Sequence, residues 1–199
     1  MSNFDARARE WDKDKMHMDR SLAIATELEA MIPLNHSMKA LEYGAGTGIL
    51  SFLLKDRFQE ITLMDNSREM INVCNEKVEY HQATHIKPVW YDLEHTVWSG
   101  KFDLIYNQMV LHHVTDVDLM LHKFQKLLNP GGYLAIADLY TEDGSFHGPD
   151  VNVHHGFDPD KLMVILKNAG FKHAEFKPCF EVKRESRINY PIFLLAAKK

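Results

Sequence analysis

Three glycines at alternate positions, Gly44, Gly46 and Gly48, follow the acid Glu42 in the run Ala40-Leu41-Glu42-Tyr43-Gly44-Ala45-Gly46-Thr47-Gly48-Ile49-Leu50. A second acid, Asp65, closes the run Ile61-Thr62-Leu63-Met64-Asp65. Residues without a Cβ let the backbone turn sharply and approach a ligand, and the first turn of a following helix offers unpaired N–H groups to an anionic group. An acid about 20 residues beyond the first glycine is the expected partner of a ribose diol. Strand, glycine turn, helix and acid-terminated strand therefore predict a site for an adenosine-containing cofactor, and with it an enzyme.

Histidine is the second chemical resource. The chain has 12, and His112, His113, His147, His154 and His155 fall after expected strand ends or in a long polar segment. Imidazole titrates near neutral pH, which suits proton transfer from an acceptor. His113 and His155 are the leading candidates to deprotonate or orient such an acceptor, with His112, His154 and Trp11 as candidates to bind it. A metal site made from His112, His154 and His155 has no cysteine or tight His/carboxylate signature behind it, so no metal is expected.

These residues need elements to hold them. Apolar positions at 24, 28, 31 and 32, followed by Pro33, predict an amphipathic helix from about Asp19. Next come a strand at Leu41, the glycine turn, a helix through Phe52-Leu53-Leu54, a strand from Ile61 to Met64 and a helix capped by Ser67. A weakly patterned strand near Val89-Trp90-Tyr91 and a buried strand over Phe102–Asn107 precede Thr115-Asp116-Val117-Asp118, which opens another helix like a capping box. Asn129-Pro130-Gly131-Gly132 stops that helix and leads into the strand Tyr133–Ala137. Asp158-Pro159 starts the last helix, and Phe171–Lys183 with Tyr190–Ala197 form a terminal hairpin around the turn Arg184–Asn189. Alternating strands and helices imply a parallel sheet covered on both faces, with ligands beyond the carboxyl ends of its strands. Glu42, Asp65, Asp92, Asn107 and Asp138 all reach that rim.

One domain is expected over 199 residues. It divides into an N-terminal cap segment and helix (1–33), a cofactor-binding core (38–140), a lid or substrate loop (141–157) and a C-terminal helix with its hairpin (158–199). The net charge of −5 gives no electrostatic reason to expect nucleic acid, and the cluster Lys183, Arg184 and Arg187, broken by Glu185, reads as a solvated turn. Two cysteines make no disulfide framework or metal pair, and no apolar signal core or membrane-length run is present, so a cytoplasmic protein is expected.

The glycine pattern separates the adenosine cofactors. A dinucleotide fingerprint read from Gly44 ends on Ile49, and read from Gly46 it ends on Ser51; Glu42 would also repel a pyrophosphate. Glu42-Tyr43-Gly44-Ala45-Gly46-Thr47-Gly48 resembles the first motif of class I S-adenosylmethionine-dependent methyltransferases. Tyr106-Asn107-Gln108-Met109-Val110-Leu111-His112-His113-Val114 and Asn129-Pro130-Gly131-Gly132 resemble their small-molecule branch, which includes quinone-biosynthesis enzymes.

The resemblance implies an α/β, Rossmann-like, seven-stranded and mostly parallel sheet with an antiparallel C-terminal strand. It implies S-adenosyl-L-methionine as cofactor, S-adenosyl-L-homocysteine as product, and in-line methyl transfer to a small-molecule acceptor. Glu42, Gly44, Ala45, Gly46 and Gly48 match the first motif. Asp65 matches the acid on the ribose hydroxyls and Asn66 lies near the adenine, as do Asp92 and the Leu93 backbone. Asn107 matches the residue near the methionine moiety. The alternatives are a nicotinamide-dependent oxidoreductase and a non-catalytic cofactor-binding module or partner subunit.

Overall fold

The computed structural model describes residues 4–148, 151–184 and 188–199. Glu185 and Arg187 of the basic cluster, and residues 149 and 150 of the long polar segment, lie outside them. A seven-stranded sheet in the order β3-β2-β1-β4-β5-β7-β6 forms the centre. Its strands are β1 (Lys39–Tyr43), β2 (Glu60–Asp65), β3 (Ile86–Trp90), β4 (Phe102–Gln108), β5 (Leu128–Leu139), β6 (Lys172–Lys183) and β7 (Asn189–Lys198). The first five pair in parallel, whereas β7 pairs antiparallel with both β5 and β6 and lies between them. The reversed final strand and the terminal hairpin agree with the sequence reading.

Helices α1 (Lys15–Met31), α2 (Ile49–Leu53), α3 (Arg68–His81), α4 (Val117–Leu127) and α5 (Pro159–Asn168) cover the two faces. The period of two along β4 sorts the core. Leu104 and Tyr106 pack with Ile24 and Leu28 of α1 on one face, and Ile105 packs with Phe124 of α4 and Leu166 of α5 on the other. Parallel register then brings the ends of β1, β2 and β4 to one rim: Tyr43 lies beside Met64, and Glu42 beside Tyr106.

Several boundaries differ from the sequence expectation. Helix α1 begins at Lys15, not near Asp19, with the Asp14 side chain accepting the Met16 N–H at 2.9 Å. Its first turns are hidden in an apolar count because His17, Arg20 and Ser21, all polar, occupy the buried stripe. The cap of α4 is Asp116, whose carboxyl accepts the Leu119 N–H at 2.9 Å, one residue after the expected Thr115. Asn129-Pro130-Gly131-Gly132 does not precede β5 but is taken into it as a bulge between the Phe102–Leu128 and Leu104–Tyr133 pairs.

Phe193 on β7 is fully buried and meets Tyr140 edge to face at 5.3 Å. It fixes the reversed strand against β5. Phe193→Ala should cost about 3–5 kcal/mol of unfolding free energy, read as a lower midpoint in urea denaturation.

Candidate functional site

The loop after β1 carries three glycines with positive φ, Gly44, Gly46 and Gly48. Gly44 has φ +65°, and a Cβ there would lie 2.5 Å from both Val110 methyls, so any side chain would force the loop away from the segment after β4. Gly46, with φ +55°, has open space where a Cβ would stand. Its N–H donates to Asp65 Oδ2 at 2.7 Å, while Asp65 Oδ1 accepts the Ser67 N–H at 2.8 Å. Burial pushes the Asp65 pKa up, against the pull of these two N–H donors.

Beneath the loop, Glu42 is wholly buried. Its Oε2 accepts the Ser51 N–H at 3.2 Å and the Ser51 hydroxyl, and that hydroxyl is 2.5 Å from the Tyr106 OH. Oε1 has no partner among the described residues. Burial drives the Glu42 pKa up to about 8, with the Ser51 hydrogen bonds opposing. Glu42 therefore faces α2, not the ligand side of the loop. The expected helix through Leu54 is also shorter: α2 has five residues, and the N–H of Ser51 within it is already engaged by Glu42.

On the other side of the loop lies a cavity of about 580 Å³. Gly44, Ala45, Gly46, Asp65, Asn66, Asp92 and Leu93 line one part of it. His112, His113, Phe146 and His147 line another, and Trp11, His17, Arg20 and Arg184 complete the wall. The roof is the N-terminal 3-10 helix Asp5–Lys13. It is tied down by Ser67 Oγ donating to Asp5 (2.6 Å), Thr47 Oγ1 donating to Asp12 (2.5 Å) and Lys77 pairing with Asp12 (2.8 Å). Trp11 within it stacks on His17 at 4.1 Å.

The histidines sort sharply. His112 is buried, with Nδ1 2.6 Å from Asp138 Oδ1 and Nε2 2.9 Å from His147 Nε2. Burial, joined by the neighbouring imidazoles, lowers His113 to about 4; burial, His112 and Arg184 lower His147 to about 4. His154 and His155 do not line the cavity. His154 Nε2 meets the Val114 carbonyl at 3.0 Å, and the His155 ring lies against Gly144. Their backbones instead close the 141–157 segment: the His154 N–H donates to the His112 carbonyl at 2.8 Å, and the Glu142 N–H to the His155 carbonyl at 2.9 Å. Phe146 and His147, between these fastened points, line the cavity.

Three further expected residues lie off the cavity. Gly48 caps α2 behind the loop, its missing Cβ leaving room for Leu63, and Glu42 is held by Ser51. Asn107 shares the β4 face of Ile105 and is buried with both side-chain polar atoms unpartnered among the described residues. Its neighbour Gln108 lines the cavity instead, accepting the Ser21 hydroxyl at 3.0 Å. Sequence reasoning passed over Arg20 and His17 and read Arg184, which lines the cavity, as part of a solvated turn. For the first two a signal existed, since both are polar residues on the stripe that continues back from Ile24.

The family profile described as a methyltransferase domain matches residues 16–175. The chain belongs to this methyltransferase family. It is 32% identical over 155 residues to an uncharacterized methyltransferase of Schizosaccharomyces pombe, covering 69% of this chain and 55% of that protein. It is 29% identical over 141 residues to the trans-aconitate 2-methyltransferase of Deinococcus radiodurans, covering 69% and 52%. The methyltransferase chain thus spans about half the length of these relatives. Its fold matches the N-methyltransferase NodS of Bradyrhizobium japonicum, solved with S-adenosyl-L-homocysteine, at a TM-score of 0.73 and 17% identity, covering 100% of this chain and 99% of that one.

The Glu42 environment makes a pH prediction. A carboxyl with a native pKa of about 8 and an unfolded value of 4.5 keeps its proton in the native state while the unfolded chain loses it. Stability from this group is therefore full below 4.5 and declines as pH rises toward about 8. Glu42→Gln keeps the hydrogen-bonding shape without the charge. Thermal melts should show the wild-type midpoint falling more steeply than the variant's between about pH 5 and pH 8.

Proposed function

We propose that the chain transfers a methyl group from S-adenosyl-L-methionine to a small molecule bearing an acid group. The observation that carries this reading is the division of charge around a single cavity. Asp65, Asp92 and Glu94 line the part next to the glycine loop, while Arg20, Lys183 and Arg184 line other walls, on which Arg7 and Asp14 also lie. The acids suit the hydroxyls and amino group of an adenosine, and the cations suit carboxylates.

The residues fit the cofactor on chemical grounds. Gly46 leaves its Cβ direction open, Asp65 supplies a fixed carboxyl for a ribose diol, and Asn66, Asp92 and Leu93 follow around the rim. Arg20 is 6% exposed, its Nε has no partner among the described residues, and burial lowers its pKa to about 10. A guanidinium in that state is completed by a carboxylate, and the amino-acid tail of the cofactor carries one. When bound, the cofactor supplies an electrophilic methyl group on a sulfonium, and its departure leaves a neutral thioether.

The protein's share of the work is alignment and exclusion of water. The N-terminal helix, held through Asp5 and Asp12, roofs the cavity, and Trp11 closes it from above. His112, oriented by Asp138, and His113 face the acceptor part; Phe146 and His147 of the 141–157 loop bound it. Arg184 lies over the Phe146 ring at 4.5 Å and is the group for the acceptor's acid. An acidic acceptor also accords with the trans-aconitate activity named for the Deinococcus relative. His155 and His154 hold the loop and are not assigned to the reaction.

Calorimetry with S-adenosyl-L-homocysteine should show binding that Asp65→Ala weakens about 100-fold, as expected for losing a charged hydrogen-bond partner. Methyl-labelled cofactor with a panel of carboxylic acids should yield labelled ester or ether products by mass spectrometry. Arg184→Ala should raise KM for the acidic acceptor about tenfold and leave S-adenosyl-L-homocysteine affinity unchanged. Absence of cofactor binding by the wild-type protein would overturn the reading.

A further inference from the structure

The cluster His112, His113 and His147 does more than border the acceptor. One nitrogen from each ring lies within 4.8 Å of the other two. The cluster is drawn from two separate parts of the chain, the 3-10 turn Leu111–His113 after β4 and the loop after β5. Asp138, fully buried at the end of β5, faces His112 with Oδ1 on Nδ1 at 2.6 Å and accepts the His112 N–H through Oδ2 at 3.2 Å. A carboxylate accepts only, so His112 Nδ1 donates to Asp138 and Nε2 is the ring atom left for other partners. His147 Nε2 lies 2.9 Å from that nitrogen.

Two ring nitrogens so close need something positive between or against them. A proton on His147 is one answer. The other is a cation, and the surroundings favour it. A metal-bound imidazole characteristically gives its second N–H to a carboxylate, which is the Asp138–His112 arrangement. Ligand nitrogens about 2.1 Å from a common ion lie roughly 3.0–3.4 Å apart, close to the 2.9 Å between His112 and His147, and a nitrogen of half-buried His113 lies within 4.8 Å of both. Glu142 and Asp138 supply nearby negative charge, Arg184 opposes it, and the Phe4 and Phe146 rings lie against His113 and His112.

We infer that His112, His113 and His147 form a three-imidazole site for a divalent transition-metal ion of the zinc class, with Asp138 as its orienting carboxylate and an open position toward the cavity. Imidazole donors select this class over magnesium or calcium, which take oxygen ligands. The ion would give an acidic acceptor's oxygen a second anchor besides Arg184; that role rests on the methyltransferase reading, whereas the site rests on the imidazole geometry.

The test uses the full chain without a histidine tag, stripped by chelator and titrated with Co²⁺ followed by its visible absorption, then with Zn²⁺ in competition. One equivalent should bind. His147→Ala and, separately, His113→Ala should each weaken Zn²⁺ binding about 100-fold or more, and Asp138→Asn about 10- to 100-fold. S-adenosyl-L-homocysteine calorimetry on each variant reports an intact fold and cofactor pocket. His147→Gln, which keeps the bulk of a half-buried loop residue, is the second variant if His147→Ala loses that binding. No stoichiometric binding by the wild-type chain, or binding unchanged in the histidine variants, overturns the site and leaves only a hydrogen-bonded imidazole pair. Loss of S-adenosyl-L-homocysteine binding by the wild type would instead strike the methyltransferase reading and leave the metal result standing.

Discussion

The carboxylate of Asp65 governs the geometry of this molecule's working edge. One oxygen takes the Gly46 N–H and the other takes the Ser67 N–H, so a single side chain fastens the loop after β1 to the start of α3. The roof depends on the same place, because the Ser67 hydroxyl, beside that N–H, holds Asp5 of the N-terminal 3-10 helix. A second set of contacts, from Asp12 to Thr47 and Lys77, fastens the far end of that helix to the loop and to α3. Parallel strand register brings the parts to one rim, and this carboxylate sets their spacing.

Around it, the chain buries polar groups that a simple core would avoid. Glu42, Arg20 and Asp138 are each less than a tenth exposed. Burying an ionisable group is costly unless it is partnered, and the three meet that cost differently. Burial holds Glu42 protonated while Ser51 donates to it, and Asp138 is matched to His112 and the Leu139 N–H. Arg20 keeps an unmatched Nε on the cavity wall. The first braces the loop from below, the second aims an imidazole, and the third sets a buried cation on the cavity wall near Asp138 and Asp14.

The histidines illustrate the limit of pattern. Their number and their place after strand ends drew attention to the right region, yet His155 turned out to support the loop while His147 faces the cavity. Nothing in the order Phe146-His147-Gly148 against Val153-His154-His155 distinguishes them, because which side of a loop meets the sheet depends on where its ends are fastened. Those fastenings are the bond from His154 to the His112 carbonyl and the bond from Glu142 to the His155 carbonyl, contacts across 42 and 13 residues. Asn107 and Gln108 differ for a similar reason: one residue along a strand reverses the face, and the register that decides it is set by pairing with β5.

Local chemistry was enough to announce the glycine turn, the acid-ended strand, the caps at Ser67 and Asp158, and the alternation that makes a parallel sheet, since each depends on residues close together in the chain. Family membership followed from the same short runs. The burial of Glu42 away from the ligand side, the recruitment of Arg20 from the helix stripe and the meeting of His112 with His147 and Asp138 were decided only in three dimensions. They depend on long-range packing, where a side chain's direction is set by neighbours that the sequence keeps far apart.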